Sequence, residues 1–121
     1  MLFRSQDDLE KVHTIRRWSK LVVALGDCAV TSNVPSMRNT IPVARLLESI
    51  YGGPGEDPDS PRMAAPSTGV PALLPAARPL HDFVEVEVHL PGCPPSPKAI
   101  LEVLSSCLTG RAPRLAGVKF G

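Results

Sequence analysis

The sequence has 121 residues and a formal net charge of +1 at pH 7, with charges of both signs along its length. This length suits one small domain, and the near-neutral charge excludes the strongly basic footprint of a nucleic-acid-binding protein or of one that adheres to anionic membranes. No stretch approaches the roughly 18 apolar residues of a membrane span, and the first residues do not read as a targeting segment.

The first predicted helix covers residues 5 to 19. Ser5 is suited to cap it, and Ser5 and Asp8 have the spacing of a capping box. Its apolar positions recur at helical spacing: Leu9, Val12 and Ile15. The continuous apolar run at 21–25, "LVVAL", then predicts a strand covered on both faces, as in a parallel sheet packed between helices.

The middle of the chain contains two predicted helical segments and a long irregular one. "SNVPSMRN", residues 32–39, is compatible with a single helical turn, and a longer helix is expected from about Pro42 to the Gly52-Gly53 pair. Residues 52–79 contain seven prolines and four glycines. We interpret them as an excursion within one domain of residues 1–121, although the composition also suits a linker between two domains.

The last third of the chain predicts one more strand and one more helix. In "DFVEVEVHL", residues 82–90, valines alternate with Glu85, Glu87 and His89, which is the pattern of a strand with one wet face. A helix should follow, capped by Ser96, with Pro97 in its first turn and Gly110 as its terminator.

The resulting order of helix, strand, helix, loop, strand, helix predicts an α/β protein. Two parallel strands are a poorly stabilised sheet, because such strands need neighbours as well as cover on both faces. We therefore expect that the first strands of the sheet are missing from this sequence or are supplied by something else.

Two of the three cysteines follow the two predicted strands. Cys28 comes just after the first strand and Cys93 just after the second, behind Gly26 and Gly92. Ligands of open parallel sheets collect at the carboxyl ends of the strands, so both thiols are expected to face one crevice. Two half-buried structural cysteines are the alternative, and no Cys-x-x-Cys spacing is present to make a complete metal site. Three cysteines at wide spacing suit a reducing compartment better than a disulfide framework.

The remaining chemical candidates favour ordinary roles. Cys107 shares a helix face with Ile100, Val103 and Leu104, which predicts core packing. Nucleophilic catalysis by Cys28 is disfavoured by the adjacent carboxylate of Asp27 and by the lack of a histidine tied to it. His13, His81 and His89 are expected to be surface or capping histidines.

Three segments carry a family resemblance: "GDCAVTSNVPSMRN" (26–39), "RPLHDFVEVEVHLPGCPP" (78–95) and the terminal "VKFG" (118–121). Together they resemble the small (delta) subunit of cytoplasmic NAD-reducing, bidirectional [NiFe] hydrogenases. More distantly, the chain looks like the 20 kDa subunit of NADH:ubiquinone oxidoreductase, in which a strand also leads into "PGCPP". The likeness extends over nearly the whole chain.

The resemblance implies a flavodoxin-like fold, a three-layer parallel sheet holding one proximal [4Fe–4S] cluster on four cysteines. Cys28 and Cys93 match the third and fourth ligands, whereas the family's Cys-x-x-Cys after the first strand has no counterpart here. Arg38 and Asn39 match a segment beside the cluster, near the large subunit. We therefore expect an N-terminally truncated subunit, a fragment that lacks the first strand–helix–strand unit.

The function implied is electron transfer from a [NiFe] large subunit, where H₂ is split, towards iron–sulfur and flavin diaphorase subunits that reduce NAD⁺. No bond-breaking residue is expected in this chain. Two alternatives stay open: a cofactor-free remnant or interaction module, and a 20 kDa-type subunit of NADH:quinone oxidoreductase. A cytoplasmic location, without nucleic acid or a membrane span, completes the expectation.

Overall fold

The computed structural model describes residues 5–52 and 64–114. Within these ranges the chain forms four α-helices, two short 3₁₀ helices and two strands. The α-helices are α1 (Gln6–Trp18), α2 (Asp27–Val30), α3 (Val43–Tyr51) and α4 (Pro97–Leu108), the strands are β1 (Val23–Leu25) and β2 (Val88–Leu90), and the 3₁₀ helices are Val34–Thr40 and Leu80–Asp82. Gly53, part of the proline-rich excursion and the terminal "VKFG" lie outside the described residues.

The two strands pair in parallel, with Val23 opposite Val88 and Leu25 opposite Leu90. Each face of this small sheet is covered by helices. On one face, Ala24 is fully buried in a cluster with Val12 of α1 and Leu80 of the second 3₁₀ helix. On the other face, Leu90 packs against Ala99 and Val103 of α4. The α/β class predicted from the sequence is thus confirmed, with a parallel sheet between two helical layers.

The helix caps follow the sequence closely. The hydroxyl of Ser5 accepts from the backbone N–H of Asp8, and the carboxylate of Asp8 accepts in return from the backbone N–H of Ser5, which completes the capping box. At α4 the hydroxyl of Ser96 accepts from the N–H of Ala99, and Gly110 ends the turn with φ +66°. Local side-chain chemistry therefore determines where these two helices begin or end.

The predicted strand at 82–90 is wrong over most of its length, since only Val88–Leu90 form a strand. The carbonyl of Leu80 accepts from the N–H groups of Phe83 and Val84, which bends the chain before the sheet begins. Val84 and Val86 pack against the Ala24 cluster, whereas Val88 packs against the Leu90 cluster on the opposite face. The alternating valines are therefore partly buried in two different hydrophobic clusters, and not along one face of a single strand.

Glu87 lies at the point where pairing of the two strands begins. Its backbone N–H donates to the carbonyl of Val22 at 3.1 Å, and its carboxylate accepts from the N–H of Val22 at 2.7 Å. The guanidinium of Arg16 donates to both oxygens of the same carboxylate, at 2.7 and 3.2 Å. One side chain thus joins α1 to the start of the sheet while Glu87 stays exposed to water, as its place in the alternation predicts.

These contacts make the sheet sensitive to acid. The N–H of Val22, which donates to the carboxylate, lowers the pKa of Glu87 below its ordinary value, and Arg16 shifts it in the same direction. A lowered folded-state pKa gives stability that is present above the unfolded-state pKa, about 4.3, and is lost as the pH falls through the folded-state value.

We predict that Glu87→Gln removes this acid-dependent part of the stability. Between about pH 5 and about pH 3, the urea midpoint of the wild-type chain should fall more steeply than that of Glu87→Gln. Glu85→Gln, a change at an exposed carboxylate two positions earlier, serves as the control and should follow the wild type. Parallel midpoint curves for the wild type and Glu87→Gln would contradict the prediction.

Candidate functional site

The candidate site is the pair of turns at the carboxyl ends of β1 and β2. Cys28 lies in the first turn of α2, three residues after β1, and Cys93 lies three residues after β2. Both thiols are free; Cys28 is half-buried and Cys93 is exposed. Because the strands are parallel, the two turns meet at one edge of the sheet, which is the arrangement predicted from the sequence.

A reciprocal pair of hydrogen bonds joins the two turns. The backbone N–H of Asp27 donates to the carbonyl of Gly92 at 2.9 Å, and the N–H of Gly92 donates to Oδ1 of Asp27 at 2.6 Å. One step nearer the sheet, the N–H of Gly26 donates to the carbonyl of Leu90 at 2.7 Å. Each cysteine therefore follows directly after a residue of this bridge.

The glycines of the bridge are required by their conformation and their surroundings. Gly26 has φ +83° and Gly92 has φ +128°, both in the region that side chains disfavour. A Cβ on Gly92 would lie 2.7 Å from Cα of Pro95, and one on Gly26 would lie 3.3 Å from the carbonyl oxygen of Gly92. A side chain on Gly92 would clash within its own turn, and one on Gly26 would press against the neighbouring turn.

The role of Asp27 was not predicted from the sequence. The sequence suggests only that its carboxylate opposes activation of the adjacent thiol, but in the structure this carboxylate accepts a hydrogen bond from a turn 65 positions away. Nothing in the local spacing signals this contact. The donor in this hydrogen bond is the backbone N–H of Gly92, which is buried. Without the carboxylate of Asp27, this N–H would lose its acceptor inside the protein.

Arg38 and Asn39 hold a different part of the chain in place. The side-chain amide of Asn39 donates to the carbonyl of Ala77 and accepts from its N–H, both at 2.7 Å. The guanidinium of Arg38 donates to the carbonyl of Leu74 at 2.9 Å. These contacts fasten the segment before the second 3₁₀ helix, a role that the sequence did not reveal.

The remaining candidates lie away from the two turns. Cys107 is half-buried against the Leu90 cluster, which confirms its predicted packing role, although Leu104 on the expected face is 54% exposed. His13 is exposed on α1, and His81 and His89 contact each other edge to face. No helix within residues 5–52 and 64–114 is both long enough and apolar enough to cross a bilayer.

The thiols of Cys28 and Cys93 are suited to supply part of the ligands of an iron–sulfur cluster. Thiolates are the usual ligands of such clusters, and two free thiols follow adjoining turns whose close approach to each other depends on glycines. Among the described residues, no group of three or more His, Cys, Asp or Glu side chains could hold a metal ion. With three cysteines in the whole sequence, one of them packed against the Leu90 cluster, four thiolates cannot come from this chain.

The chain belongs to the NADH ubiquinone oxidoreductase, 20 Kd subunit family, whose model matches residues 1–107. It is 34% identical over 112 residues to a subunit of the F420-non-reducing hydrogenase vhu of Methanocaldococcus jannaschii, covering 93% of this chain and 38% of that protein. It is 28% identical over 108 residues to the NAD-reducing hydrogenase HoxS subunit delta of Cupriavidus necator, covering 88% of this chain and 52% of that one.

A third relative and a solved structure agree with these two. The iron-sulfur subunit of the F420-non-reducing hydrogenase of Archaeoglobus profundus is 26% identical over 120 residues, covering 93% of this chain and 37% of that protein. The crystal structure of an NAD⁺-reducing [NiFe]-hydrogenase in the H₂-reduced state contains a similar chain, with a TM-score of 0.88 and 30% identity, covering 99% of this chain and 68% of that one. The chain thus spans between about two fifths and half of the length of these three curated relatives.

We predict that Asp27→Ala destabilises the chain by about 1–3 kcal/mol, because the buried N–H of Gly92 loses its acceptor. Asp27→Asn is the matched control: it keeps an acceptor oxygen at the same place and should lose less. Urea unfolding measures both. Cross-linking of Cys28 to Cys93 by a short bis-maleimide should also slow in Asp27→Ala and persist in Asp27→Asn. Equal stability of Asp27→Ala and the wild type would show that the bridge does not depend on this carboxylate.

Proposed function

We propose that this chain acts as an electron-transfer subunit, or the carboxyl-terminal part of one, in an NAD-reducing [NiFe] hydrogenase. The observation that supports this most directly is the meeting of Cys28 and Cys93 on two hydrogen-bonded turns at the carboxyl edge of the sheet. The likeness to the HoxS delta subunit and to the solved NAD⁺-reducing enzyme supports the choice of hydrogenase class.

In this proposal Cys28 and Cys93 supply two of the four thiolates of a [4Fe–4S] cluster, and the other two come from polypeptide outside this sequence. The cluster, when bound, would accept and pass on single electrons. The chain's own contribution is to hold two thiolates at a fixed separation, through the bridge of Asp27 and Gly92. Nearby backbone N–H groups and partial burial of Cys28 would then influence the reduction potential.

The partners proposed are the [NiFe] large subunit, which would provide the site of H₂ cleavage, and iron–sulfur and flavin diaphorase subunits. Arg38 and Asn39 fasten the 3₁₀ helix Val34–Thr40 to the segment around Ala77. We propose that this fastened surface lies near the large subunit. Met37 and Val34 of the same helix are 72% and 60% exposed, which suits a face that contacts another protein.

Cluster binding can be tested on the full chain by anaerobic reconstitution with iron, sulfide and a small thiol that fills the two remaining ligand positions. We expect bound iron and sulfide with a broad absorbance near about 400 nm from thiolate–iron charge transfer. Cys28→Ser and Cys93→Ser should each lose most of the iron. Cys107→Ser is the matched control, because its half-buried thiol packs against the Leu90 cluster, and this variant should retain the iron.

Two results of this experiment would overturn the cluster assignment. One is a wild-type chain that stays colourless and free of iron after reconstitution. The other is a loss of iron in Cys107→Ser as large as in Cys93→Ser. Circular dichroism of each variant shows whether a loss of iron reflects unfolding.

The enzyme class can be tested separately on the native complex, purified through an affinity tag on this chain. We expect that the complex reduces NAD⁺ with H₂, and that Cys93→Ser abolishes this activity while Cys107→Ser keeps it. A complex that oxidises NADH with a quinone, and does not consume H₂, would instead assign the chain to the NADH:quinone oxidoreductase branch of the family.

A further inference from the structure

Two histidines outside the thiol site lie against each other on the surface. His81 belongs to the second 3₁₀ helix and His89 is the middle residue of β2. Their ring centroids are 5.5 Å apart and the ring planes are inclined by 64°. Both residues are exposed. Neither takes part in the hydrogen bonds that join the two cysteine turns.

The fold itself brings the two rings together. Leu80, the residue before His81, is buried in the same cluster as Ala24 of β1. Ala24 is the register partner of His89 across the sheet, so these two residues share a sheet face. The packing that buries Leu80 therefore carries the 3₁₀ helix over the face where His89 lies, and the two imidazoles are held near each other by the core.

Their separation suits a shared metal ion. An ion bonded to one nitrogen of an imidazole lies roughly 3.2 Å from the ring centre, since the Zn–N bond is about 2.1 Å long. Centroids 5.5 Å apart then subtend about 120° at the ion, which is near the angle of a four-coordinate zinc site. The rings now meet edge to face, and because both side chains are exposed, rotation about their side-chain torsions would aim one nitrogen of each ring at such an ion.

A carboxylate stands beside the pair. Oδ1 of Asp82 lies 3.8 Å from Nε2 of His81, which is longer than a hydrogen bond, while the guanidinium of Arg78 holds the other oxygen at 3.0 Å. Carboxylates next to histidine ligands orient the ring and increase its basicity. No third His, Cys, Asp or Glu completes a metal group in the described part of the chain, so water would fill the other positions.

We propose that His81 and His89 form a two-imidazole site for a late first-row divalent cation, with Asp82 beside His81 as the orienting carboxylate. Imidazole nitrogens suit zinc and copper, and an ion held by two protein ligands keeps positions open to water. This site is separate from the thiolates of Cys28 and Cys93, and it would be present whether or not those thiolates bind iron.

Zinc is the probe for the test, and the full chain carrying Cys28→Ser and Cys93→Ser is the background, because thiolates would otherwise compete for the metal. Isothermal titration of this background with Zn²⁺ should show one site. Adding either His81→Gln or His89→Gln should weaken the affinity about tenfold or more, because half of the protein ligands is removed. His13→Gln, at an exposed histidine of α1, is the matched control and should leave the affinity unchanged.

Thermal unfolding gives a second readout on the same proteins. Zn²⁺ should raise the Tm of the background chain and of His13→Gln, but not that of the two pair variants, because only a ligand of the folded state stabilises it. Three results would overturn the proposal: no zinc binding by the background chain, unchanged affinity in both pair variants, or an equal loss in His13→Gln. Without zinc, all four proteins should unfold at similar temperatures, since exposed substitutions cost little.

Discussion

The reciprocal hydrogen bonds between Asp27 and Gly92 are the contact on which the rest of the site depends. Each strand has three residues, so the sheet alone offers few hydrogen bonds to hold the two turns together. The bridge adds hydrogen bonds beyond the ends of the strands, and in one of them the acceptor is a side-chain oxygen instead of a backbone carbonyl. Its N–H donor is buried, where an unpaired polar group is costly, and its glycines exclude other side chains. Both cysteines follow this bridge directly, so their spacing is determined by the backbone.

Contacts between residues close together in the sequence could be predicted, and contacts between distant residues could not. The capping box at Ser5 and the start of α4 at Ser96 involve partners three residues away, and both were predicted correctly. The strand at 82–90 was mostly wrong, because alternating valines show that side chains are buried but not that they share a face. The positions of Cys28 and Cys93 after parallel strands were predicted from the pattern, and the family resemblance added the chemistry expected of them.

The contacts that shape the site could not be predicted, since their partners are distant in sequence. Asp27 reaches Gly92 across 65 positions, and Asn39 reaches Ala77 across 38. In each case a short polar side chain accepts a hydrogen bond from the backbone N–H of a remote segment. Nothing in the sequence distinguishes these two residues from any other Asp or Asn. Only the fold identifies which N–H is within reach. The same holds for His81 and His89, which come together through the burial of Leu80.

Glu87 helps to fix the alignment of the two strands, which a sheet this small does not secure by its own hydrogen bonds. A ladder of three residues per strand could slide by one position, and such a shift would exchange its two faces. The carboxylate of Glu87 binds the N–H of Val22 and the guanidinium of Arg16, and so admits one alignment of the strands. The relative position of Cys28 and Cys93 therefore depends on contacts at both ends of the sheet: Glu87 at the start of the strands and the bridge of Asp27 and Gly92 at their carboxyl ends. A substitution at Glu87 could therefore change how the two thiols are placed relative to each other, although Glu87 lies at the opposite end of the strands.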